Sequence, residues 1–212
     1  RLMPAAAALV SNETLRIAAR VTALLGDDQI RAHASGFRAL RLEEWQECEL
    51  AGRTLRVRMD RLDQLSDGRV VVIDYKSGIA ETFRPLDERP RQPQLLAYAL
   101  LASDAVAGVA AAYLNADEVR WRGAAAADST LPLPVRARVP TAPWPELLNH
   151  WRRVIERLVG DFAVGEAAVD PLPDVCSTCT LAALCRVDAD RLQEPEPAAD
   201  FAAGAAEAGS AA

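Results

Sequence analysis

The sequence predicts an α/β fold with a mixed central sheet, in the order helix, three strands, helix, strand, closed by a further helix. Three observations predict it. Residues 53–65 alternate apolar and charged, the mark of a strand with one buried face. Val70-Val71-Val72-Ile73 is a continuous β-branched run, expected of a strand covered on both faces. Apolar residues recur at helical spacing on either side of this block.

In order along the chain, Ser11-Asn12-Glu13 precedes Leu15, Ile17, Ala18, Val21, Leu24 and Leu25, which predicts a capped amphipathic helix stopping at Gly26. Glu13 reads as a capping residue. Residues 27–36 read as a loop, with His33 inside it. Phe37–Leu50 and Arg53–Leu65 read as strands joined tightly at Ala51-Gly52. In the second, Leu55, Val57 and Met59 share one face, and Arg56, Arg58 and Asp60 the other. Ser66-Asp67-Gly68 is a hairpin signal before the β-branched strand. A helix is expected over 92–103 and a strand over 108–114. Residues 124–145, with five prolines and four consecutive alanines, read as a long connection holding one edge strand at 133–139. A last helix runs from about Pro145 to Ala163, with Leu147, Leu148, Trp151, Ile155, Leu158 and Phe162 at core spacing and His150 in a structural place. The chain divides into 1–36, an N-terminal helix and loop; 37–163, the core and packing helix; 164–187, a cysteine segment; and 188–212, an acidic tail.

No stretch of the 212 residues approaches the roughly 18 apolar residues of a membrane span. Residues 1–25 lack the order of a signal peptide, so a cytoplasmic location is expected, and a chain beginning at Arg1 reads as a piece of a longer polypeptide. The net charge of −6 is uneven: residues 188–212 hold six acids against Arg191, a local −5, which leaves −1 for the remainder. That Ala/Gly/Glu/Pro-rich tail is expected to be disordered. Charge thus neither favours nor excludes a DNA partner. Of the 24 basic side chains, Lys76 alone is lysine. In a chain so biased towards Arg, this points to a need for a compact, titratable point charge there.

The neighbours of Lys76 give it meaning. If Ser66, Asp67 and Gly68 form a three-residue loop, Leu65 pairs with Arg69 and Asp60 falls opposite Asp74. Two carboxylates that close require a cation between them, and hard oxygen ligands suit Mg²⁺ or Mn²⁺. Lys76 emerges on the face of Asp74, while Tyr75 points away but keeps its carbonyl beside the site. A two-residue turn would instead set Asp60 opposite Tyr75. The competing reading is that Arg58, Asp60, Arg61, Asp63 and Asp74 form an exposed ion-pair lattice of little worth.

The segments Leu55-Arg56-Val57-Arg58-Met59-Asp60-Arg61-Leu62-Asp63, Val72-Ile73-Asp74-Tyr75-Lys76-Ser77-Gly78 and Gln94-Leu95-Leu96-Ala97-Tyr98, in that order, resemble the RecB/AddB-type branch of the PD-(D/E)xK nucleases. The resemblance implies a restriction-endonuclease-like αβββαβ core and metal-dependent DNA hydrolysis, exonucleolytic and acting in DNA repair. It implies that Asp60, Asp74 and the Tyr75 carbonyl bind the metal, that Lys76 orients or activates the attacking water, and that Gln94 and Tyr98 order Lys76. A helicase subunit, or a helicase-like domain of the same polypeptide, is the implied partner, and a non-cutting DNA-binding or scaffolding module the alternative. The branch's usual first ligand, a Gly-x-x-x-His or Glu motif on a helix before the strands, has no match, which places it upstream of Arg1 or lost.

Cys176-x₂-Cys179-x₅-Cys185 sets three thiols within ten residues, a pattern better suited to a metal than to a disulfide. Spacing alone leaves Zn²⁺ and an iron–sulfur cluster open. The resemblance extends to the iron–sulfur staple of AddB-type proteins and implies a [4Fe–4S] cluster in the intact protein, its fourth cysteine upstream or, less favoured, Cys48.

Overall fold

A computed structural model describes residues 4–102, 106–115, 118–127, 143–172, 175–177 and 179–185. The expected edge strand at 133–139 and the tail from 188 lie outside them. The chain forms two compact units, Arg1–Val164 and Gly165–Ala212.

In the first unit, helix α1 (Pro4–Ser35) leads to β1 (Phe37–Leu50), β2 (Arg53–Leu65) and β3 (Val70–Lys76), then α2 (Pro93–Leu101), β4 (Val106–Leu114), β5 (Val119–Ala125) and α3 (Trp144–Ala163). The strands lie side by side in sequence order; β3 and β4 are parallel, joined through α2, and the other neighbours are antiparallel. The mixed sheet of an α/β fold is therefore present.

Both tight turns are built as their residues require. Ala51 and Gly52 each have positive φ, 49° and 69°, as a two-residue turn matching strand twist demands. At the next turn Gly68 has φ +87°, Leu65 N donates to the Arg69 carbonyl at 2.8 Å, and Asp67 caps Arg69 N at 2.9 Å. The loop thus has three residues, and Gln64↔Val70 through Arg61↔Ile73 pair in the register that sets Asp60 opposite Asp74.

Strand β3 is buried on both faces. On one, Val70 and Val72 join Leu62, Leu95, Leu96 and Trp151 beneath α2 and α3. On the other, Val71 and Ile73 join Ala110, Ala112 and Trp121. Burying a Val or Ile side chain contributes about 1.5–3 kcal/mol, so this short run is a large share of the core. Indole N–H bonds from Trp144 to the Val106 carbonyl and from Trp151 to the Pro85 carbonyl, both 2.7 Å, fix α3 and the loop after β3.

Four expectations are corrected. Helix α1 neither starts at Ser11 nor stops at Gly26: it begins at Pro4 and continues to Ser35, so Glu13 lies within it, bonded to Arg16, and His33 is helical. Glycine costs a helix about 1 kcal/mol relative to Ala, and contacts beyond it outweigh that cost. Asp27 accepts the Trp121 indole N–H at 3.1 Å, and Arg31 stacks over Phe37 and Trp121. The helix ends instead at Gly36, φ +65°, whose N–H caps the Ala32 carbonyl. Second, β5 has no counterpart in the expected order. Its Trp121 is buried, and Gly123 lies so close to β4 that a Cβ there would sit 2.0 Å from the Val109 carbonyl oxygen. Third, Phe162 is exposed and lines a groove of about 740 Å³ with Leu55, Ala97, Ile155 and Leu158. Fourth, the alternation in β2 breaks at Asp60. Met59 and Leu62 join one core cluster, and opposite Asp60 stands Glu43 with φ 54°, between the pairs Leu42↔Arg61 and Glu44↔Met59.

Candidate active site

The β2–β3 ladder ends at Arg61↔Ile73, one residue short of the two acids. There the strands exchange a side-chain bond instead: Tyr75 N donates to Asp60 Oδ2 at 2.9 Å. Asp74, at the end of the apolar run, is 1 % exposed. Burial pushes its carboxyl above the ordinary range; the hydrogen bond and charge of Lys76 oppose this, and the charge of Asp60 adds to it.

Lys76 Nζ lies 2.7 Å from Asp74 Oδ2 and donates to Gln94 Oε1 at 3.0 Å. Gln94 Nε2 donates to the Tyr98 hydroxyl at 2.5 Å, and that hydroxyl donates to the Arg58 carbonyl at 2.8 Å. A relay thus runs from the lysine on β3, along one turn of α2, to the β2 backbone two residues before Asp60. Gln94 and Tyr98 lie four apart and so share a helix face. Burial also raises the Tyr98 hydroxyl, which stays a neutral donor; its bond with Gln94 lowers it, and the charges of Asp74 and Asp60 raise it. Asp60, Asp74, Lys76, Gln94 and Tyr98 therefore converge, and the Tyr75 side chain faces the other way.

The pair of acids fits part of a hard-cation site. Asp74 Oδ2 is buried, and Lys76 Nζ, 2.7 Å away, is the cation that meets it. No three His, Cys, Asp or Glu side chains among the described residues form a metal-holding group. This applies equally to the cysteines of the second unit. Cys176 sits in a 3₁₀ turn, Val175–Ser177, and Cys185 ends the short helix α4, Ala182–Cys185. Both are free thiols, as is Cys179, whose sulfur accepts Leu181 N–H at 3.3 Å. As placed, the three do not form the centre expected of them. Cys48 is a half-buried thiol packed against the core, and burial pushes its pKa up. His150 sits in α3 with Nδ1 3.8 Å from Glu88.

The expected ion-pair lattice divides in two. Arg61 and Asp63 do not join Asp60 and Asp74; they are buried on the opposite face with Asp28 and Arg31 of α1. Sequence reasoning missed this cluster. The signal was the parity of Arg61 and Asp63, odd against the even Asp60, in a strand with both faces covered.

A family model described as the PD-(D/E)XK nuclease superfamily matches residues 2–186. No curated protein matches significantly. Among solved structures, that of SSO0001 aligns with a TM-score of 0.41 and 17 % identity, covering 76 % of this chain and 66 % of its own.

Proposed function

The chain belongs to the PD-(D/E)XK nuclease superfamily, and we propose that it hydrolyses DNA phosphodiesters with Mg²⁺ or Mn²⁺ held by Asp60, Asp74 and the Tyr75 carbonyl. The observation that carries this reading is the relay Lys76–Gln94–Tyr98–Arg58 carbonyl beside two facing carboxylates. The metal, when bound, neutralises the phosphate and lowers the pKa of a water. The chain's own residues do the remainder. Asp60 and Asp74 provide the anionic ligands. Lys76 aims a fixed positive charge at the place where the attacked phosphate gains charge, with no reorganisation at the moment of reaction. Gln94 holds Nζ, and Tyr98 holds Gln94, so that this charge does not collapse wholly onto Asp74.

The RecB/AddB-like assignment, exonucleolytic action in DNA repair and a helicase partner are the finer part of the proposal, supported by the order and spacing of the three motifs. A [4Fe–4S] cluster on Cys176, Cys179, Cys185 and a fourth cysteine is proposed for the intact protein, with Zn²⁺ as the alternative. A non-cutting DNA-binding module is the second reading, favoured by the absence of a third side-chain ligand among the described residues. Linear DNA incubated with the full-length protein and Mg²⁺ or Mn²⁺ distinguishes them. Degradation is expected, and Lys76→Ala or Asp74→Ala is expected to lose it by about 10³-fold without unfolding. Intact DNA at every metal tested would favour the binding module. Iron quantitation on anaerobically purified full-length protein tests the cluster, and stoichiometric zinc without iron would overturn it.

A further inference from the structure

We propose that Arg61, Tyr75 and Asp28 form a positioning clamp that sets the spacing of Asp60 and Asp74 from behind the sheet; this rests on reading those acids as metal ligands. Main-chain pairing between β2 and β3 stops at Arg61↔Ile73, and the acids lie one step beyond it. On the front face the bond from Tyr75 N to Asp60 Oδ2 joins the strands there. On the back face, Arg61 Nη1 donates to the Tyr75 hydroxyl at 3.1 Å. Arg61 directly follows Asp60 and Tyr75 directly follows Asp74. A bond between these neighbours ties the strands at the level of the acids themselves.

The guanidinium is immobilised on three sides. Its Nε donates to Asp63 Oδ1 at 2.6 Å, its Nη1 to Asp28 Oδ2 at 2.5 Å, and its Cζ lies 5.2 Å from the Phe37 ring centre. Burial alone would lower its pKa, but the bonds to Asp63, Asp28 and Tyr75 raise it, so the charge is permanent. Asp28 also accepts Arg31 Nη1 at 2.6 Å, and Arg31 Nη2 donates to Asp63 at 3.1 Å, which closes a ring of bonds through α1. Buried ion pairs are seldom more stabilising than apolar side chains of the same volume, so stability does not explain these charges. What they add is direction and fixed length, as the shell behind a metal site does for its ligands.

The test measures Mn²⁺ binding by electron paramagnetic resonance and cleavage kinetics on the same full-length variants. Tyr75→Phe deletes one hydroxyl and keeps the backbone carbonyl. It is expected to raise the half-saturating Mn²⁺ concentration by about tenfold, leave KM for DNA unchanged, and recover kcat at high Mn²⁺. Arg61→Lys, which keeps the charge but loses the fork, is expected to behave alike. Asp27→Ala is the control: it breaks the bond from the same helix to Trp121 and leaves the Arg61–Tyr75 and Arg61–Asp28 bonds in place, and is expected to bind Mn²⁺ as wild type does. Wild-type Mn²⁺ affinity in Tyr75→Phe, or equal weakening in Asp27→Ala, would overturn the clamp and leave the network a matter of fold stability. Absence of Mn²⁺ binding in the wild type as well would overturn the metal reading itself, and the clamp with it.

Discussion

The two faces of the β2–β3 hairpin carry opposite arrangements of charge, although neighbouring residues of the same strands contribute to both and α1 completes the back one. On the back face, Arg31, Arg61, Asp63 and Asp28 satisfy one another. On the front, two acids face each other and a single lysine, Lys76, pairs with Asp74, while Asp60 accepts the Tyr75 N–H. A closed set of pairs resists change and has no valence left for a ligand. An open set costs stability and keeps its oxygens available. Under-paired buried groups of this sort belong at sites where function rather than folding is served.

Deletion of one acid from each face is the harshest test of that contrast. Asp63→Ala strands Arg31 and Arg61 in the core and is expected to cost about 3–5 kcal/mol in urea unfolding. Asp60→Ala gives up one bond from Tyr75 N and is expected to cost about 1 kcal/mol while abolishing cleavage. Comparable losses from the two would erase the distinction. Within the front face, Tyr98→Phe removes the end of the relay on the Arg58 carbonyl. A roughly tenfold fall in kcat is expected, within the usual range for misplacing an acid–base group, with stability changed by about 1 kcal/mol or less. Unaltered kcat would show that Lys76 needs no anchoring.

The smallest effect sharpens the comparison through pH. Burial raises the Asp74 carboxyl, so the folded state holds that proton more tightly than the unfolded chain does. Stability from this group is then present below the ordinary carboxylate pKa and falls as pH rises through the raised value. Asp74→Asn removes the fall. In metal-free buffer the variant is expected to melt above the wild type at pH 7 and to converge with it near pH 3. Parallel melting curves across that range would refute it.

Much of the front face was legible in the sequence because it depends on local geometry. The turn at Gly68 fixes the register, the register brings Asp60 to Asp74, and period two returns Lys76 to the same side. Gln94 and Tyr98 were named by the family resemblance, and helical spacing sets them on one face. Asp-Gly suits both a two- and a three-residue loop, and only the Leu65–Arg69 pair decides for three. The back face was not legible. Its meaning depends on α1 passing over the sheet, and Gly26 reads locally as a stop; only the contacts of Asp27, Asp28 and Arg31 carry the helix past it. With residues 27–36 taken as a loop, Arg61 and Asp63 had no visible partner and read as solvated charges. Strand β5 was missed for a related reason: the alanine run beside Gly123 resembles a connection until β4 is placed against it.

Asp60 and Asp74 lie 14 residues apart on either side of one turn, whereas the bond from Arg61 to Asp28 closes 33 residues and that from Lys76 to Gln94 closes 18. Closure entropy grows by only about 0.6 kcal/mol per doubling of loop length, but contacts close in sequence form with less search. Proximity of the acids is therefore settled by a short hairpin that needs no other element. Their rigidity is acquired from α1 and α2, one arriving on each side.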